Sequence, residues 1–73
     1  MTKRLTKAQV GKVMSQLEKS QTYENAQEAA TFLGYPLETD IDGLPLYRGT
    51  VYPNRADLID EILVDLGNKQ RSI

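Results

Sequence analysis

Leu37-Glu38-Thr39-Asp40-Ile41-Asp42-Gly43-Leu44-Pro45-Leu46-Tyr47-Arg48-Gly49-Thr50-Val51-Tyr52 is the stretch whose reading decides the fold. Leu37, Thr39 and Ile41 alternate with Glu38, Asp40 and Asp42, the period of a strand with one buried and one solvated face. Asp42-Gly43 signals a two-residue hairpin turn. The return strand then uses Leu46, Tyr47 and Arg48 followed by Thr50, Val51 and Tyr52, with Gly49 marking a bulge. Its aromatic and β-branched residues favour a pleated, half-buried surface. Pro45 has no N–H to donate, so this strand is expected at an edge, or to begin pairing late.

Helices flank the hairpin on both sides. Thr6 and Gln9 have the spacing of a capping box, and Leu5 and Val10 that of a hydrophobic staple. The apolar stripe Val10, Val13, Met14, Leu17 then predicts an amphipathic helix, with Lys7, Lys12, Gln16 and Lys19 off the stripe. Gly11 weakens it by about 1 kcal/mol relative to alanine, but leaves room for another element to approach. A second helix is expected from a Thr22 cap, with Glu24 in its first turn and Ala26, Ala29, Ala30 and Leu33 on its packed face. Gly34 suits its C-terminal cap, and Pro36 prevents continuation. The third helix is capped by Asn54, carries the stripe Leu58, Ile59, Ile62, Leu63, Leu66, and is expected to end at Gly67. The expected order is α-α-β-β-α, a compact α+β domain with a β-hairpin packed against helices. One domain covers residues 1–73, with an ordered core over 5–67 and a mobile tail over 68–73.

Seventy-three residues make one domain at most, with a core only just sufficient for its surface. Cysteine and histidine are both absent, which removes disulfides, thiolate chemistry, the commonest general base and the commonest metal ligand. No cofactor is implied. No apolar run reaches the roughly 18 to 20 residues that span a bilayer, and no apolar segment follows the basic start as in a signal peptide. The expectation is an intracellular protein.

The net charge of −1 conceals an asymmetry. Residues 1–19 set Lys3, Arg4, Lys7, Lys12 and Lys19 against Glu18, a balance of +4. Residues 20–53 set Glu24, Glu28, Glu38, Asp40 and Asp42 against Arg48, a balance of −4. Such a surface steers and orients a charged partner, or else helix 1 and the central segment attract each other within the fold. Both readings stay open at this point.

Candidate chemistry is thin. Glu38-x-Asp40-x-Asp42-Gly43 imitates the start of a calcium loop, but the position that requires a bidentate glutamate is Gly49. A solvated strand face ending in a turn is the better reading. The carboxylates occupy polar positions of amphipathic patterns, where nothing raises one of them for acid–base work. No phosphate-cradling loop is present, and a nucleophilic serine would have only exposed lysines as its base. The chain is therefore expected to bind rather than catalyse. Tyr47 and Arg48 are residue types enriched at protein-binding hot spots, whereas Tyr52 is expected to cap the core with its hydroxyl in water.

The stretch Ala26-Gln27-Glu28-Ala29-Ala30-Thr31-Phe32-Leu33-Gly34-Tyr35 is similar to the first helix and turn of a small helix-turn-helix, as in phage excisionases, with the hairpin as a wing. That alternative requires a recognition helix over residues 36–48, where Pro36, Asp42-Gly43 and Pro45 forbid one. Helix 2 itself offers Glu24 and Glu28 and no basic residue, so it would repel phosphate. Sequence-specific nucleic-acid binding is not expected.

The opening Met1-Thr2-Lys3-Arg4-Leu5-Thr6-Lys7-Ala8-Gln9-Val10 and the segment Tyr35-Pro36-Leu37-Glu38-Thr39-Asp40-Ile41-Asp42-Gly43-Leu44 carry a further resemblance. With the overall length and character of the chain, they resemble the small regulators by which lytic phages commandeer host RNA polymerase, of the Xanthomonas-phage type that inhibits initiation and promotes antitermination. The resemblance implies a protein of the host cytoplasm that docks on bacterial RNA polymerase near the N-terminus of its β′ subunit; a monomer is expected. It would hinder promoter engagement by the σ-containing enzyme and let elongating polymerase read through terminators. The family transfers no binding residues. From exposure and chemistry, the expected partner-binding residues are Lys3, Arg4, Lys7 and Lys12 on one side, and Glu38, Asp40, Tyr47 and Arg48 on the other.

Overall fold

Thr6 and Gln9 start the first helix by exchanging hydrogen bonds: Gln9 N–H donates to Thr6 Oγ1 and Thr6 N–H to Gln9 Oε1, both at 3.2 Å. The computed structural model describes residues 5–72. Helix α1 (Lys7–Lys19) buries Val10 and Leu17, with Leu5, Val13 and Met14 packed alongside. Helix α2 (Tyr23–Leu33) begins where Thr22 Oγ1 accepts from Asn25 N–H at 3.1 Å. It ends at Gly34, whose φ of 93° lets Tyr35 N–H reach back to Ala30 C=O at 2.9 Å, closing a Schellman motif. Helix α3 (Arg55–Ser72) begins at Asn54, whose side-chain carbonyl accepts from Ala56 N–H at 2.9 Å. It buries Leu58, Ile59, Ile62 and Leu66 against both other helices. Each such aliphatic side chain removed from water contributes about 1.5–3 kcal/mol.

Gly67 does not end α3, contrary to the sequence expectation, and residues 68–72 are its last turns rather than a tail; Ile73 lies outside the described residues. A tertiary contact accompanies this continuation. Gln70 Nε2 donates to Lys7 C=O at 3.4 Å, seating the end of α3 against the start of α1. Gly11 makes room for it, since a Cβ there would stand 3.1 Å from Gln70 Nε2. Lys69 and Arg71 in the final turn also suit the negative end of the helix dipole.

Between α2 and α3 lies a three-stranded antiparallel sheet in the order β1-β2-β3, so the chain reads α-α-β-β-β-α. It remains α+β, with one strand more than expected. Strand β1 (Glu38–Thr39) pairs with β2 (Pro45–Tyr47), and β2 pairs with β3 (Thr50–Val51). The extra strand arises at Arg48-Gly49, which is a second hairpin turn rather than a bulge. Tyr47 pairs with Thr50 across it, and both turn residues have positive φ, 51° and 81°, the mark of a type I′ turn. Pro45 therefore sits on the central strand, not at an edge. It is tolerated as the first residue of β2: its carbonyl accepts from Tyr52 N–H at 3.0 Å, while registered pairing with β3 begins only at Leu46, the late start that a missing donor implies.

The first turn also differs from expectation. Asp40 N–H donates to Leu44 C=O at 2.9 Å and Gly43 N–H to Asp40 C=O at 3.0 Å, which encloses the three residues Ile41, Asp42 and Gly43. Strand β1 stops at Thr39, so the alternation does not continue through Ile41. Leu37 packs against the core, but Thr39 is exposed and Ile41 is 100% exposed.

Candidate functional site

Tyr47 ends the central strand with its ring turned inward, 1% exposed, and its hydroxyl donates to Asp65 Oδ2 of α3 at 2.6 Å. Arg48 Nη1 approaches the same oxygen at 3.2 Å, and its guanidinium lies 4.6 Å over the Tyr35 ring. Tyr35 meets Tyr47 edge to face at 6.2 Å between centroids, and the Tyr52 ring lies 6.3 Å from Tyr47 at a tilt. Such aromatic pairs contribute about 0.5–1.5 kcal/mol beyond the area they bury. Burial pushes the Tyr47 phenol far above its ordinary range, and the hydrogen bond and negative charge of Asp65 push it further. The Arg48 guanidinium is raised by the same carboxylate, through its hydrogen bond first and its charge second. Tyr52 is raised by burial, then by the charges of Glu61 and Asp65.

Tyr47 is therefore a core residue and not an exposed hot spot. The Arg48-Gly49 turn fixes it as the last residue of β2, where the pleat directs it at α3. Arg48 keeps half of its side chain in water, but its charge is shared with Asp65 and Tyr35. Asp40 is committed to its turn: one carboxylate oxygen accepts from Asp42 N–H at 2.9 Å and from Leu44 N–H at 2.8 Å. Glu38 stands exposed on β1, and Lys7 and Lys12 stand exposed on α1. Lys3 and Arg4 lie outside the described residues. Of the expected binding residues, the fold thus joins Tyr47 to Arg48 through Asp65, while Lys7 and Lys12 belong to a separate element. Tyr52 is half-buried against the core, as expected.

Sequence reasoning missed Asp65 and Tyr35. A signal for Asp65 was present: it falls three residues after Ile62 and beside Leu66, so a carboxylate interrupts the apolar stripe where it must find a donor. Tyr35 carried no comparable signal, since its role depends on where the Arg48 turn lands.

The surface carries shallow concavities, of which two lie beside these elements. One, of about 220 Å³, runs between α1 and α2 over Val13, Leu17, Ala29 and Phe32, with Glu28 on its rim. The other, of about 250 Å³, lies between Tyr35, Arg48 and the last turns of α3 at Asn68 and Lys69. Among the described residues, no group of three or more acidic side chains is placed to hold a metal ion. No helix among them is long and apolar enough to cross a membrane. Residues 36–48 hold β1 and β2 rather than a recognition helix. Among the described residues the one ion pair is Arg48–Asp65, so no salt bridge joins the lysines of α1 to the acidic hairpin.

The fold and surface together define a small α+β domain of three helices and a three-stranded sheet. No protein-family model, no curated protein sequence and no solved structure matches the chain.

Proposed function

We propose that this protein is a phage-type transcription regulator that binds bacterial RNA polymerase in the host cytoplasm, acting as a monomer and by contact rather than catalysis. Docking near the N-terminus of the β′ subunit, it inhibits σ-dependent initiation and promotes antitermination. The choice of partner rests on the resemblance of the opening and of the Tyr35–Leu44 segment to such regulators.

The observation that carries the binding reading is the charge left unpaired within the fold. Lys7, Lys12 and Lys19 stand exposed along α1, and Glu38 and Asp42 stand exposed on the first hairpin. Their opposite signs are not spent on each other, since the one ion pair among the described residues lies elsewhere. Exposed charges of this kind raise association rates and fix orientation more than they stabilise a fold.

The test is capture of purified core polymerase on immobilised protein in the presence of nuclease, followed by a σ-dependent promoter assay and a terminator read-through assay. Retention of the large subunits, with fewer initiations and more read-through, is the expected result. Binding of nucleic acid instead, steeply weakened by salt and with no polymerase retained, would replace this reading with the DNA-binding one.

A further inference from the structure

We infer that Ile41 is a preformed apolar anchor, which inserts into an apolar pocket rimmed by basic side chains on the polymerase. The identity of the partner rests on the reading above; the anchor and the chemistry of its pocket come from the fold.

Single apolar residues on a surface are ordinary. Ile41 differs from the others here in degree and in setting. It is 100% exposed, whereas the next most exposed large apolar residue, Val64, is at 54%. A side chain with no buried surface contributes nothing to the core, so stability gives no reason for an isoleucine there. Local chemistry gives none either. Ile41 follows Asp40 as the first of the turn's central residues, a place that proline and small polar residues favour over β-branched ones.

The loop that carries it is held from within. Asp40 uses its N–H, its C=O and one carboxylate oxygen on Leu44, Gly43 and Asp42, with all four hydrogen bonds between 2.8 and 3.0 Å. Gly43 supplies the positive φ, 81°, that closes the turn. β-branching adds stiffness to the side chain itself. An apolar group presented this way loses little conformational freedom on docking, which is what makes a small anchor effective.

The surroundings specify the pocket. Glu38, Asp40 and Asp42 are the charged residues of this hairpin, and no lysine or arginine occurs between Lys19 and Arg48. Arg48, the nearest in sequence, lies in the second turn and is engaged with Asp65 of α3. A matching site therefore has an apolar floor and lysine or arginine at its edge, and an acidic rim would reject the loop.

Binding of purified bacterial core polymerase to immobilised wild type, Ile41→Ser, Ile41→Val and Asp42→Lys, with a thermal melt of each, tests the inference. Ile41→Ser is expected to weaken binding at least tenfold while melting as wild type does. Ile41→Val should retain most of the affinity, and Asp42→Lys should weaken it and flatten its salt dependence. Wild-type binding with Ile41→Ser unchanged within twofold overturns the anchor and leaves the proposed function standing. Tighter binding by Asp42→Lys overturns the basic rim. A lowered melting temperature for Ile41→Ser overturns the premise that this side chain is idle in the fold. No binding of polymerase by wild type overturns the proposed function, and the anchor's partner with it.

Discussion

Replacing Tyr47 with phenylalanine removes one oxygen and leaves the ring in place. The lost hydroxyl donates to Asp65 at 2.6 Å from a residue 1% exposed, and Asp65 itself is only 13% exposed at its side chain. A hydrogen bond to a charged acceptor contributes about 1.5–3 kcal/mol net, and more when its loss strands the acceptor. Arg48 still reaches the same oxygen at 3.2 Å, so Asp65 is not wholly deserted. The expected cost is therefore about 2 kcal/mol. For a domain of this size each kcal/mol moves the melting point by about 4–8 °C, so the variant should melt roughly 8–16 °C lower.

The pH dependence provides a second, independent reading. The Tyr47 phenol is raised above its ordinary 10.0 by burial first and by Asp65 second, so the folded protein keeps a proton that the unfolded chain gives up at high pH. Its contribution is complete below about pH 10 and is lost as the pH rises beyond that, because unfolding then releases the proton. Wild type should lose stability steeply in alkali. Tyr47→Phe should lose less, keeping only the dependence due to Tyr52, which is shifted the same way. Urea titrations followed by circular dichroism from pH 7 to 11 measure both effects. A variant within about 0.5 kcal/mol of wild type at pH 7, with the same alkaline slope, would refute the claim that Asp65 holds the hydroxyl.

Gly67→Ala should stabilise the domain by up to about 1 kcal/mol in denaturant titration, because α3 is continuous there and the added Cβ meets Met14 and Arg71 only at ordinary contact distances, 4.0 and 3.9 Å. Destabilisation would mean that α3 breaks at that residue. Ile62→Ala, at 0% exposure in the centre of the core, should cost about 2–5 kcal/mol in the same titration and leave a domain this small largely unfolded. The pair Lys7→Glu and Lys12→Glu should melt as wild type does, since both side chains are exposed, yet weaken capture of polymerase. Unchanged capture would remove α1 from the binding surface.

The helix starts and the end of α2 were legible because their chemistry is local. Thr6 with Gln9, Thr22 with Asn25, and Gly34 with Ala30 all act within a few residues, so sequence spacing alone identifies the partners. The sheet was legible in kind but not in detail. Alternation at Leu37, Thr39 and Ile41 reads as a strand until Asp40 bends the backbone, and no pattern of polarity reports that bend. Gly49 serves a bulge or a turn equally well in sequence, and the pairing of Tyr47 with Thr50 decides it. Gly67 looked like a terminus because glycine suits a helix end locally, and the partner that the last turns of α3 meet, Lys7, is 63 residues away. The binding surface was the least legible part. Lys7, Lys12 and Glu38 stand exposed as read, whereas Tyr47 went inward and Ile41 outward once the two turns were placed.

The contact between Gln70 and Lys7 spans 63 residues of sequence. Helix α1 is synthesised before α3, yet much of the apolar surface that seats it is on α3. The remaining elements make their turns and hairpins over short loops, which close at little entropic cost. Docking of α1 on α3 is thus expected to complete folding, and until then the part of its apolar stripe that α2 does not cover is bare to the cell.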